Sequence, residues 1–94
     1  MEIRQTKLFA RTVKRLSAHQ TEDLNRAIQT IMQQPEIGQQ QVANLAGVRV
    51  YKFKMAKQEA LLAYSVDGQA ITLTLLALSS HNNFYRDLAR QLKH

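Results

Sequence analysis

The sequence predicts a small α/β domain of the mixed α+β kind, and three observations carry that prediction. Two amphipathic helical segments fill the first third of the chain. Three strand-like segments joined by short turns follow between Gly47 and Leu78, and helical spacing returns after Ser79. The predicted order is helix, helix, strand, strand, strand, helix, within a single domain spanning residues 1–94.

Each element has its own signal. Met1 to Gln5 alternates briefly, and Ile3 suits the start of an edge strand. Thr6 is an N-cap for a basic helix from Lys7 to about Leu16, in which Phe9, Val13 and Leu16 recur at helical spacing among Lys7, Arg11, Lys14 and Arg15. Ser17 with Gln20 three residues on is a capping box, which restarts the chain as a second helix. There Leu24, Ala27, Ile28, Ile31 and Met32 form one apolar stripe that stops before Pro35, because the residue ahead of a proline disfavours helix. The two helices should form an antiparallel hairpin lying on a sheet. Pro35 to Ala46 reads as a polar connection containing Gly38 and three successive glutamines.

Side chains alternate along a strand, so VRVYKFKM separates into two faces. Arg49, Tyr51, Phe53 and Met55 share one; Val48, Val50, Lys52 and Lys54 share the other, which therefore ends in paired cations. Ala56 to Glu59 reads as a polar turn, Ala60 to Val66 as a second strand, and Asp67-Gly68 as a hairpin pair. The third strand, AITLTLLAL, is nearly continuous apolar, as expected of a strand covered on both sides. Asn82 or Asn83 can cap a last helix whose stripe is Phe84, Tyr85, Leu88, Ala89 and Leu92.

Composition limits the function classes. Ninety-four residues with 45% apolar content make a modest core, and no apolar run approaches the roughly 18 residues of a membrane span. The N-terminus lacks the apolar core and cleavage site of a secretory signal, so a cytoplasmic location is expected. Without cysteine there is no disulfide or thiolate chemistry, and three scattered histidines predict neither a metal site nor a cofactor. Thirteen Lys and Arg against seven Asp and Glu leave +6 at a pI near 10.1, a balance that fits a nucleic-acid or acidic protein partner and fits a solvated basic surface as well.

The helical hairpin, the VYKFK strand after a Leu-Ala-Gly turn, the LLAYSVDG hairpin and the tail LLALSSHNNFYRDL together resemble the RelE/ParE superfamily of small bacterial toxins. They are most similar to its ParE-like branch with an NFYRDL ending, and the resemblance covers essentially the whole chain. It implies a RelE-like fold, with an N-terminal helical hairpin packed on a small twisted antiparallel sheet and a C-terminal helix. It also implies the toxin component of a type II toxin-antitoxin module, a co-encoded antitoxin that wraps and neutralises it, and a toxin-antitoxin hetero-oligomer. RelE-type members cut messenger RNA in the ribosomal A site, whereas ParE-type members poison DNA gyrase.

RNA cleavage by the neighbouring 2′-hydroxyl needs a base, an acid for the departing 5′-oxygen, and cations for the charge growing on the phosphate. By the resemblance, Lys52 and Lys54 match two lysines that stabilise phosphate charge, one of them a candidate base. His81 and Tyr85 resemble a C-terminal histidine and aromatic that transfer a proton and stack on a nucleotide, and Arg49 and Arg86 add positive charge for RNA. The chain departs from the RelE pattern at Leu61 and at His81, where that pattern carries arginines. A lost oxyanion donor is worth roughly 3 to 4 kcal/mol, although the ribosome itself positions the substrate. Each residue also fits a plainer role: the lysines a solvated strand face, His81 a helix-capping loop, Tyr85 a place in the core. The conjunction favours a metal-independent endoribonuclease, or mRNA interferase, acting on ribosome-bound mRNA. The alternatives are a gyrase poison acting by protein contact and an inactive relative that keeps only its antitoxin binding.

Overall fold

The computed structural model describes residues 1–69, 72–79 and 88–90, and its framework is one five-stranded sheet carrying two helices on one face. The strands are β1 (Glu2–Gln5), β2 (Gln39–Gln40), β3 (Arg49–Met55), β4 (Gln58–Asp67) and β5 (Thr72–Ser79), and the helices are α1 (Lys7–Lys14) and α2 (Ala18–Gln33). The sheet order is β1-β5-β4-β3-β2. Neighbours pair antiparallel throughout except β1, which joins the edge parallel to β5.

The helix boundaries follow the local chemistry. The Thr6 hydroxyl accepts the Phe9 N–H at 3.0 Å and donates to the Leu76 carbonyl at 2.7 Å, so the α1 cap is also its anchor to β5. At α2 the Ser17 hydroxyl accepts the Gln20 N–H while the Gln20 side chain accepts the Ser17 N–H, the reciprocal pair the spacing predicts. α1 lies along β5 and α2 over β3. The α2 stripe lands where expected, with Leu24, Ala27 and Ile31 buried and Ile28 and Met32 partly so.

The helix-covered face is closed by large side chains: Phe9, Leu24 and Ile31 from the helices, with Met55, Leu62, Tyr64, Leu73, Leu75 and Leu78 from the strands. Fully burying an aliphatic or phenyl side chain contributes about 1.5 to 3 kcal/mol, so this layer dominates stability. The opposite face is built from smaller groups, Val48, Val50, Ala63 and Ala77, with Leu45 and Leu88 laid over them. A bulge in β5 supplies both layers. Ala63 pairs with Ala77 and Tyr64 with Leu75, leaving Leu76 as the extra residue, so Leu75 and Leu78 face the same core although three positions apart.

Three local expectations are corrected. The connection from Pro35 to Ala46 contains short 3₁₀ turns at Pro35–Ile37 and Ala43–Leu45 and the edge strand β2, which two glutamines form by pairing with Arg49 and Val50. Polar residues carry no alternation, so backbone pairing alone makes that strand. The β3–β4 turn is only Ala56 and Lys57, both left-handed at φ 51° and 72°, and β4 therefore begins at Gln58 rather than Ala60. After β4 the left-handed residues are Gly68 and Gln69, one position later than the Asp67-Gly68 pair, because Asp67 still pairs with Thr72. Residues 88–90 are helical, within the expected last helix, whose other residues lie outside the described ones. Among the described residues no helix is long and apolar enough to cross a membrane.

Candidate functional site

Lys52 and Lys54 stand on the exposed end of the second face, two residues apart on β3 and so about 6 to 7 Å apart along the strand. Both side chains are exposed, and neither hydrogen-bonds nor ion-pairs with another described residue. The register gives them their neighbours. Lys54 is opposite Glu59, and Lys52 is opposite Leu61, which is itself opposite Ser79. A row of Lys52, Leu61 and Ser79 therefore crosses three strands where β5 ends. Toward the other end of this face the small side chains of Val50, Ala63 and Ala77 lie beneath Leu88.

Leu61 is partly buried and packs against that second core. The position beside Lys52 is thus filled by an apolar group, in line with the departure read from the sequence. Among the described residues, the cations beside Leu61 come from one strand.

Arg49 is not brought to this group. Odd-numbered β3 residues face the helices, and its guanidinium donates from Nη1 to the Glu36 carbonyl at 3.1 Å and the Gly38 carbonyl at 2.8 Å. It ties down the segment leading into β2. The same segment is held from below by Tyr64, whose hydroxyl donates to the Pro35 carbonyl at 2.6 Å and accepts the Gly38 N–H at 2.9 Å. A Cβ at Gly38 would stand 2.7 Å from the Tyr64 ring, so only glycine permits this approach. Burial pushes the Tyr64 hydroxyl up from its ordinary range, an effect tempered by the Gly38 N–H and by the nearby Arg49. His81, Tyr85 and Arg86 lie outside the described residues.

Sequence reasoning missed Asp23, a mid-helix acid on α2 whose side chain is only 12% exposed. Its Oδ2 accepts the Ala56 N–H at 2.8 Å, at the tip of the hairpin that bears the lysines. An aspartate beside Leu24 on the apolar flank of a helix was the available signal, since an isolated carboxylate there needs a partner. Asp23 and Arg26 also border a recess between α2 and β3, floored by Tyr51 and Phe53, whose rings stack with centroids 5.9 Å apart.

A family model described as the ParE-like toxin of type II bacterial toxin-antitoxin systems matches residues 3–89. No curated protein sequence matches the chain. Among solved structures, it is similar to a double arginine-to-alanine mutant of Escherichia coli toxin RelE in the free state, with TM-score 0.72, 13% identity, and coverage of 97% of this chain and 96% of that one. The intact E. coli RelBE toxin-antitoxin complex contains a chain similar at TM-score 0.68 and 14% identity, covering 86% of this chain and 96% of that one. The mutant RelE bound to an antitoxin RelBc peptide is similar at TM-score 0.66 and 14% identity, over 92% and 90% of the two chains. At such identity these structures establish the shared fold.

Proposed function

Given that the chain belongs to the ParE-like toxins of type II bacterial toxin-antitoxin systems, we propose that it inhibits translation as a ribosome-dependent, metal-independent endoribonuclease, restrained by a cognate antitoxin. The observation that carries this reading is the pair of exposed lysines, Lys52 and Lys54, at one end of the sheet, neither side chain partnered among the described residues. Ordinary surface lysines are common, but here the chain leaves β5 at Ser79, in the same cross-sheet row as Lys52, and His81 follows two residues later.

The chemistry divides accordingly. The 2′-hydroxyl oxygen attacks the adjacent phosphorus and loses its proton to a base, for which Lys54 and His81 are the candidates. The bond from phosphorus to the 5′-oxygen breaks, and that oxygen takes a proton from the acid of the pair. Lys52 offsets the negative charge that grows on the non-bridging oxygens. Tyr85 stacks on or orients a base, and Arg86 adds charge toward the RNA backbone. Arg49 is better assigned to holding the segment before β2, given its two carbonyl acceptors. The antitoxin partner is supported by the likeness to the RelBE complex and to the antitoxin-peptide complex.

A second reading keeps a specific observation of its own. The matching family is ParE-like, and Leu61 fills the position beside Lys52 with an apolar group, which favours a gyrase poison that acts by protein contact. One experiment separates the two. Wild type and a Lys52→Ala, His81→Ala variant are pulse-induced in cells, and new RNA 5′ ends are mapped within minutes alongside gyrase-linked DNA breaks. Codon-phased cuts in translated messages that vanish in the variant support the nuclease. DNA breaks without such cuts, unaffected by both substitutions, replace it with the gyrase reading.

A further inference from the structure

We propose that Asp23 is a positioning residue for the lysine pair, acting through the β3–β4 turn; the inference rests on the nuclease reading above. The turn is Ala56-Lys57, two L-residues that are both left-handed. A two-residue hairpin of this geometry ordinarily selects Asn-Gly or Asp-Gly, because a Cβ makes the left-handed region unfavourable. Local sequence therefore does not hold the turn that the register requires. Met55 and Gln58 close the ladder, which leaves the Ala56 N–H outside it.

Asp23 supplies what the turn lacks. Its Oδ2 accepts that N–H at 2.8 Å, while Oδ1 is engaged by Arg26 one turn further along α2. His19 stands 3.6 Å from Oδ2 on the preceding turn, largely exposed. The two oxygens are thus divided, one oriented by the helix and one gripping the hairpin tip. Lys54 and Lys52 lie two and four residues before Ala56 on the same strand. A slip of one residue at the turn would exchange the faces of β3, putting Tyr51 and Phe53 where the lysines stand. Asp23 keeps them on the exposed face by fixing the turn from the other side of the sheet. It touches no reacting atom in this role.

The test uses the full chain in a cleavage assay on ribosomes programmed with a short message, with amide exchange at Ala56 and urea unfolding measured in parallel. Asp23→Ala is expected to lower kcat about tenfold with little change in KM, the signature of misplaced rather than missing groups. Asp23→Asn keeps an acceptor and should retain most of the rate. Adding Ala56→Asn and Lys57→Gly to Asp23→Ala builds the preferred turn into the chain and should restore kcat per folded molecule, with the parallel urea titration separating this from a regain of folded fraction. An unchanged kcat in folded Asp23→Ala, or no recovery with the Asn-Gly turn, overturns the inference while the nuclease reading stands. A wild type that cuts no message overturns both. The two failures are distinguished by whether the wild type cleaves.

Discussion

The two faces of the sheet are made from the same three strands and differ in what they bury. Between the helices and the sheet sit Leu24, Ile31, Leu62, Tyr64 and Leu73, all at or below 2% exposure, a layer closed along its length. On the opposite face Val50, Ala63 and Ala77 form a thinner layer that stops short of the hairpin end, where Lys52 and Lys54 remain in solvent. Alternation along β3 and β4 forces this pairing of roles, since each residue that enters one layer leaves its neighbours to the other. The helix face is therefore where stability is concentrated, and the thin face is where, among the described residues, charge is left in solvent.

Substitutions should separate the faces, beginning with the largest effect. Lys52→Ala should reduce message cleavage by roughly 10² to 10³, the scale of one lost oxyanion donor, with the urea midpoint almost unmoved because the side chain is exposed. If the midpoint falls while the specific activity holds, the assignment of roles to the two faces is reversed at this residue. Leu62→Ala should do the opposite, lowering unfolding free energy by about 3 kcal/mol with little change in the activity of the folded fraction, because it opens a cavity under the helices.

Tyr64→Phe should cost about 2 kcal/mol, since it leaves the buried Gly38 N–H and the Pro35 carbonyl without their partner. The same residue predicts a pH dependence. Burial raises the Tyr64 hydroxyl in the folded state, so above about pH 10 the unfolded chain ionises first. Its contribution is complete below that value and is lost as pH rises through the higher folded one. Urea titrations from pH 9 to 11 should show this decline in the wild type and a smaller one in Tyr64→Phe. The smallest effect is at the surface: Ser17→Ala breaks the capping box and should cost about 1 kcal/mol, seen as a small shift in melting temperature with cleavage intact.

Much of this was legible in residue order because it depends on local spacing. The α2 stripe, both N-caps and the two faces of β3 follow from periods of 3.6 and 2 and from side chains that bond their own backbone. Lys52 and Lys54 were legible for the same reason. β2 was not, since Gln39 and Gln40 are strand only by pairing with β3, and the β3–β4 turn was not, because Ala-Lys carries no left-handed preference. Arg49 looked like a free cation in sequence. Its occupation by the Glu36 and Gly38 carbonyls depends on residues more than ten positions away.

By itself, then, the sequence determined the two helices, the three strands of the meander, their apolar faces and the identity of the basic pair, because those depend on neighbours a few residues apart. Tertiary structure decided the parallel entry of β1 beside β5, the bulge at Leu76 that reconciles both cores, the apolar neighbour Leu61 opposite Lys52, and the grip of Asp23 on Ala56. The physical reason is the range of the interactions. Hydrogen bonds and packing between segments separated by tens of residues are set by how the strands register, and register is the joint result of two hydrophobic layers closing at once.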